Sequence, residues 1–140
     1  SKTDVPSLCI KIKADAEIEN DGFLAALCGC DWTVPISDGS GQMINSNACG
    51  PEIGAEINLP EANISLPAEV SLQFDTQPDT VTVKCLKKGS SIEDICNIDR
   101  SDGNYTFSLK TGEYVYRITA EWQNGNRAEY GFAGWGLPTD

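Results

Sequence analysis

From Gly112 to Trp135 apolar and polar positions alternate almost without interruption. Tyr114, Tyr116, Ile118, Ala120 and Trp122 fall on one side of the pattern, and Val115, Arg117, Thr119 and Glu121 on the other. A period of two is that of a strand with one face in a core and one in water. Gln123-Asn124-Gly125-Asn126 then supplies a turn whose Asn-Gly step tolerates positive φ, and Ala128, Tyr130 and Phe132 resume the alternation on a returning strand. The stretch predicts a hairpin with the heaviest apolar face in the chain.

The same pattern recurs upstream. Leu8, Ile10 and Ile12 alternate with Cys9, Lys11 and Lys13, which predicts a strand with Cys9 on the face opposite the isoleucines. A turn at Asn20-Asp21-Gly22 precedes a second strand over Phe23 to Val34, in which simple alternation puts Cys28, Cys30 and Trp32 on one face. Asp38-Gly39-Ser40-Gly41 breaks the chain, and residues 41–68 carry little periodicity, with Pro51, Pro60 and Pro67 ruling out a long helix. Glu61 to Pro67 reads as an edge strand or extended connection. Val70, Leu72 and Phe74 restart the alternation, Thr80 to Leu86 forms another strand, and Tyr105, Phe107 and Leu109 one more after the Asp102-Gly103-Asn104 turn. Lys87 to Arg100 reads as a polar connection in which Ser91-Ile92-Glu93-Asp94 has the spacing to open one helical turn. About seven short strands bounded by turns, with no long amphipathic helix, predict an all-β, immunoglobulin-like antiparallel β-sandwich, one domain over residues 1–140. The Cys-to-Trp spacing of antibody domains is absent, so the likeness is one of architecture.

Composition narrows the chemistry. The 140-residue chain has 21 Asp and Glu against ten Lys and Arg, a net charge of −11. That balance repels phosphate backbones and anionic headgroups, so nucleic acid and a basic membrane patch are not expected partners. No histidine is present, which removes Ser-His-Asp and Cys-His catalysis and every His-containing zinc or copper site. No apolar run approaches the roughly 20 residues that a membrane-spanning helix needs. Membrane attachment is expected only through a lipid anchor outside this sequence, which begins at Ser1 with no Met and no leader.

The cysteines at 9, 28, 30, 49, 85 and 96 form an even set, read first as disulfides in an oxidising compartment. Cys85 with Cys96 is the expected pair, closing a short loop between two strands, and a bridge of that loop size stabilises by roughly 2.5 to 3 kcal/mol. Cys9, Cys28, Cys30 and Cys49 then pair among themselves, with a Cys28–Cys30 bond disfavoured by the one-residue gap. The competing reading, zinc or an iron–sulfur cluster held by Cys28-Gly29-Cys30 with Cys9 and Cys49, lacks any Cys-x₂-Cys pair. No metal or cofactor is expected.

The motif Gly112-x-Tyr114-x-Tyr116-x-Ile118-x-Ala120-x-Trp122, a Gly-containing turn, and Tyr130-x-Phe132 resembles the C-terminal signature of small secreted or lipid-anchored proteins of uncharacterised function from Gram-positive gut and soil bacteria of the Firmicutes. Trp32 and Val70-x-Leu72-x-Phe74 sit where those proteins have an early Trp strand and a central apolar strand. The resemblance implies an extracytoplasmic β-sandwich on the bacterial surface, and carries over no catalytic residue.

Other candidates have plainer explanations. Asp99, Ser101, Asp102 and Asn104 offer calcium oxygens but lack the EF-hand order, and Asp102-Gly103 reads as a turn. The carboxylate pairs Glu17 with Glu19 and Glu52 with Glu56 fall in polar loops, so no enzyme is expected. Tyr114, Tyr116, Trp122 and Tyr130 share a core face. Trp135, in Gly134-Trp135-Gly136 past the last clear strand, is the aromatic expected to meet a ligand. The expected function is non-catalytic binding of a protein or glycan at the cell surface, as part of a surface lipoprotein. The alternatives are a carbohydrate-binding accessory domain built on Trp135, and a small secreted peptidase inhibitor presenting Lys87 to Arg100.

Overall fold

Alternation along each strand becomes two apolar faces, and the faces close on one another. The computed structural model describes residues 5–14, 22–35, 43–46, 59–123 and 125–138. Among them are twelve strands and no helix: β1 (Leu8–Ala14), β2 (Phe23–Leu24), β3 (Ala26–Pro35), β4 (Met43–Ser46), β5 (Glu61–Ser65), β6 (Ala68–Phe74), β7 (Thr80–Lys87), β8 (Glu93–Cys96), β9 (Asp99–Ser101), β10 (Asn104–Ser108), β11 (Gly112–Glu121) and β12 (Arg127–Leu137). The first sheet runs β2-β1-β6-β10-β9. The second runs β4-β3-β12-β11-β7-β8, with β5 added to β12.

The order is that of an immunoglobulin-like sandwich with an N-terminal addition. Strands β6, β10 and β9 stand as B, E and D do, and β12, β11, β7 and β8 as G, F, C and C′. Strand β5 lies parallel to the end of β12, and β1 to β3 extend both sheets, β1 antiparallel to β6 and β3 antiparallel to β12. About seven strands were expected from alternation. The structure adds β4, β8 and β9, and splits the second predicted strand at Ala25, whose N–H donates to Leu8 O. The expected polar connection from Lys87 to Arg100 is instead β8, β9 and short links, and Glu93-Asp94 belongs to a strand where a helical turn was expected. In β8 three of four residues are exposed, so an edge strand leaves no alternation to read.

The core joins Ile10, Ile12, Val70, Leu72, Tyr105 and Phe107 of the first sheet to Val83, Tyr116, Ile118, Tyr130 and Phe132 of the second. Every one of these aromatic hydroxyls has a partner. Tyr105 Oη donates to Pro78 O at 3.3 Å, Tyr130 Oη donates to Pro6 O at 2.7 Å, and Tyr116 Oη accepts from the Lys110 N–H at 3.0 Å. The last bond, from a strand-F tyrosine to the backbone just upstream, is a tyrosine corner. Burial holds the Tyr116 and Tyr130 phenols well above their usual range.

Buried Asn126 ties the N-terminal addition to the hairpin. Its Nδ2 donates to Thr33 O at 3.0 Å, and its Oδ1 accepts from Thr33 N at 2.9 Å, the geometry of one more strand pair made by a side chain. Asp102 and Gly103, at φ 50° and 80°, make the two-residue turn between β9 and β10. Asp99 and Ser101 are thereby strand residues.

Replacing Tyr116 by Phe keeps the ring and strands the Lys110 N–H. We expect Tyr116→Phe to lower the unfolding free energy by about 1–2 kcal/mol in urea titration; an unchanged midpoint at unchanged m-value would contradict the corner.

Candidate functional site

The outer face of the second sheet carries a shallow groove with Trp135 in it. The cause is the alternation Phe132, Gly134, Gly136 on the inner side of β12. A Cβ on Gly134 would stand 2.9 Å from Tyr116 Cε1 and 3.0 Å from Leu109 Cδ1, and one on Gly136 would run into Lys110 O. Both positions need glycine for β12 to lie against the Tyr116 ring and the corner behind it. Stripped of inward side chains, this end of β12 presents Trp135 and Leu137 outward. Trp135 therefore lies within β12, a correction to its expected place beyond the last strand. Neighbouring glycines had made a strand end look like a loop.

Register assembles the rest. Trp135 pairs with Glu113 of β11 and Asn63 of β5, and Ala133 pairs with Val115 and Glu61. Val115 in turn pairs with Leu86 of β7. Ala133, Val115 and Leu86 form an apolar floor beside the indole, and the turn Lys87 to Ser90 with Glu113 and Asn63 forms the rim of a groove of about 320 Å³. Trp135 is 43% exposed, the most open aromatic among the described residues, whereas Trp32 and Trp122 are 8% and 9% exposed and meet edge to face in the core.

The rim is charged and partly fixed. Lys88 Nζ lies 3.1 Å from Glu113 Oε2, and the Lys88 N–H donates to Glu113 O, so the β7–β8 turn is held down on β11. Further along, Arg117 joins Glu93 of β8 and Glu129 of β12. Exposed pairs of this kind contribute only about 0–1 kcal/mol each, and they serve here to position the wall more than to stabilise it. The arrangement offers a ring-stacking surface, an amide and mixed charges, with no imidazole.

Tyr116, Trp122 and Tyr130 are core residues as expected, and Tyr114 is half-buried at the groove's edge. The cysteines differ from the expected all-paired set. Cys9, Cys28, Cys85 and Cys96 are free thiols, Cys30 is disulfide-bonded, and Cys49 lies outside the described residues, as do Glu17, Glu19, Glu52, Glu56 and the turn at 38–41. Cys9 and Cys28 stand on different sheets. Cys28 also leaves the face it was expected to share with Cys30 and Trp32. The β3–β12 register slips between Glu129 and Tyr130, so Leu27 opposes Tyr130 while Gly29 opposes Glu129. The extra residue is Cys28, a bulge that inverts the alternation. Leu27, Cys30 and Trp32 pack on the core, and Cys28 is buried apart from it, near the Glu129 carboxylate. Among the described residues no three His, Cys, Asp or Glu gather as a metal site.

Cys85 and Cys96 are both buried and hydrogen-bonded thiol to thiol. Sequence reading placed them together from loop length. It missed the second cavity, about 360 Å³, which opens between β8 and β10 and has Cys96 and Lys110 in its lining.

Comparison of the chain with protein-family models, with curated proteins and with solved structures finds no match.

The bulge has a measurable signature. Burial first, and Glu129 second, push the Cys28 thiol from 9.0 up to about 11. Between those values the unfolded chain gives up a proton that the folded chain keeps, so stability is full below pH 9.0 and falls as pH rises through about 11. The urea midpoint of the reduced protein should drop across that interval, and Cys28→Ala should reduce the drop. An identical drop in the variant would contradict the placement of Cys28.

Proposed function

We propose that this chain is a non-catalytic binding domain working outside the cytoplasm, on the surface of a Gram-positive bacterium, and that the Trp135 groove takes a glycan. One observation carries the reading: a β-sandwich that buries its other indoles leaves Trp135 open on a flat sheet face, beside an apolar floor with polar groups at the rim. A sugar ring offers the complement. Its axial C–H face stacks on an indole, and its hydroxyls reach Asn63, Glu113 and Lys88. A protein partner would be served better by a wider apolar patch than a groove of this volume provides. The peptidase-inhibitor alternative loses its presented loop, because residues 93–96 and 99–101 are strands paired into the sheets.

The location follows from chemistry in the same spirit. An even set of cysteines, one of them already bridged, and a strongly acidic surface suit an oxidising, water-exposed compartment. The groove carries two carboxylates, Glu61 and Glu113, the second paired with Lys88, and no imidazole beside them, which fits binding better than turnover.

A glycan array probed with the labelled protein should show binding that Trp135→Ala lowers at least tenfold, with an unfolding midpoint close to that of the parent. Equal binding by the variant, or silence across the array, would remove the reading.

A further inference from the structure

The segment that walls the groove is also the segment that Cys85 and Cys96 enclose. Leu86 closes the floor, Lys87 to Ser90 form the turn at the rim, and β8 returns along β7 to Cys96. The two sulfurs lie on the core side of this hairpin, behind the groove. Cys96 opposes Val83, and Cys85 opposes Asp94, so the cysteines are diagonal neighbours offset by two residues. Diagonal neighbours stand roughly 7–8 Å apart at Cα, and a disulfide needs roughly 4.4–6.8 Å. Closing the bond therefore requires β8 to slide along β7. That strand is able to: it is four residues at the sheet edge, with Glu93, Asp94 and Ile95 exposed and only Cys96 buried.

A reagent can reach the pair from the other side. Cys96 lines the second cavity, whose polar wall includes Asn97, Asp99, Thr106 and Lys110. The cavity shares no lining residue with the groove, so a ligand in the groove does not occupy this approach to Cys96.

We propose that Cys85 and Cys96 are a thiol–disulfide exchange site, oxidised by a small disulfide such as oxidised glutathione, and that the resulting bridge clamps the Leu86–Ser90 wall of the Trp135 groove. The Cys96 sulfur, as thiolate, attacks one sulfur of the reagent and expels the first glutathione. Cys85 sulfur then attacks Cys96 sulfur and expels the second. The protein loses two electrons and two protons, the reagent gains both, and one S–S bond is exchanged for another. Burial, then the neighbouring Cys85, pushes the Cys96 thiol up to about 12. Such a thiol holds little thiolate at neutral pH, so the exchange is slow there and quickens as pH rises toward that value. The clamp acts on the groove of the proposed function, but its chemistry stands without that reading.

The whole chain, fully reduced, is incubated with oxidised glutathione under native conditions, quenched in acid, alkylated in denaturant and mapped by mass. We expect the peptides carrying Cys85 and Cys96 to be joined with the loss of two hydrogens. Amide exchange over residues 86–96 should slow about tenfold on oxidation, and Cys85→Ser/Cys96→Ser should show no such redox dependence in that segment. Alkylation of both thiols after oxidation, a bond from either to another cysteine, or a bridge that leaves exchange over 86–90 unchanged would overturn the proposal. Trp135→Ala keeps both sulfurs, so it should form the bridge as the parent does; loss of glycan binding there, or its absence, leaves this test intact.

Discussion

The Tyr116 ring is the constraint from which the rest follows. It stacks on Phe132 at 5.0 Å and 14°, tilts against Phe107 of the opposite sheet at 5.5 Å, and anchors its hydroxyl at the Lys110 N–H. Three elements are thus fixed by one side chain: the partner strand, the facing sheet and the connection leading into its own strand. Its volume dictates what can stand across from it on β12. Only glycine fits at 134, and the corner it anchors admits only glycine at 136. Between two residues without side chains, Trp135 projects from the outer face. An interaction that stabilises the core thus also shapes the surface where a ligand is proposed to bind.

How much of this was legible in the sequence depended on whether a residue's partners lay within its own strand pattern. The Tyr114-to-Trp122 alternation named the central hairpin because five heavy residues in strict period leave no other reading. Isoleucines 10 and 12, and Val70 with Leu72, did the same for the first sheet. The pattern failed at Cys28, since a bulge inserts one residue and a period-two reading has no means to see it. It failed again at β8 and β9, edge strands whose residues are nearly all exposed and whose place is set by pairing with β7 and β10. Trp135, singled out as the aromatic to meet a ligand, is exposed but was misplaced in the fold, because the glycines that accommodate Tyr116 look like the glycines of a loop. The tyrosine corner had a trace in the sequence, a strand-F tyrosine shortly after the Leu109-to-Gly112 connection, though only the Lys110 contact identifies it.

The site was less legible than the fold. Its floor draws one residue each from β7, β11 and β12, and its rim adds β5 and a turn. Such a set is brought together by register alone. The same holds for the thiol pair, where loop length suggested a bridge while register sets the two cysteines on diagonal positions, two residues apart. The proposed binding groove and the thiol pair occupy opposite sides of one hairpin, the segment through which a bridge on one side would act on the other. The acidic surface stays compatible with a neutral or cationic ligand and unwelcoming to polyanions.

The Trp135 groove is proposed as the place where this domain meets its ligand. The chain has three tryptophans, hence three indole N–H resonances in a nitrogen-correlated NMR spectrum. Titration with an array-positive oligosaccharide should move the Trp135 indole signal together with the amides of 86–90, 113–115 and 133–135, while the Trp32 and Trp122 signals stay in place. Shifts centred on another face, with the Trp135 indole unmoved at saturation, would contradict the account.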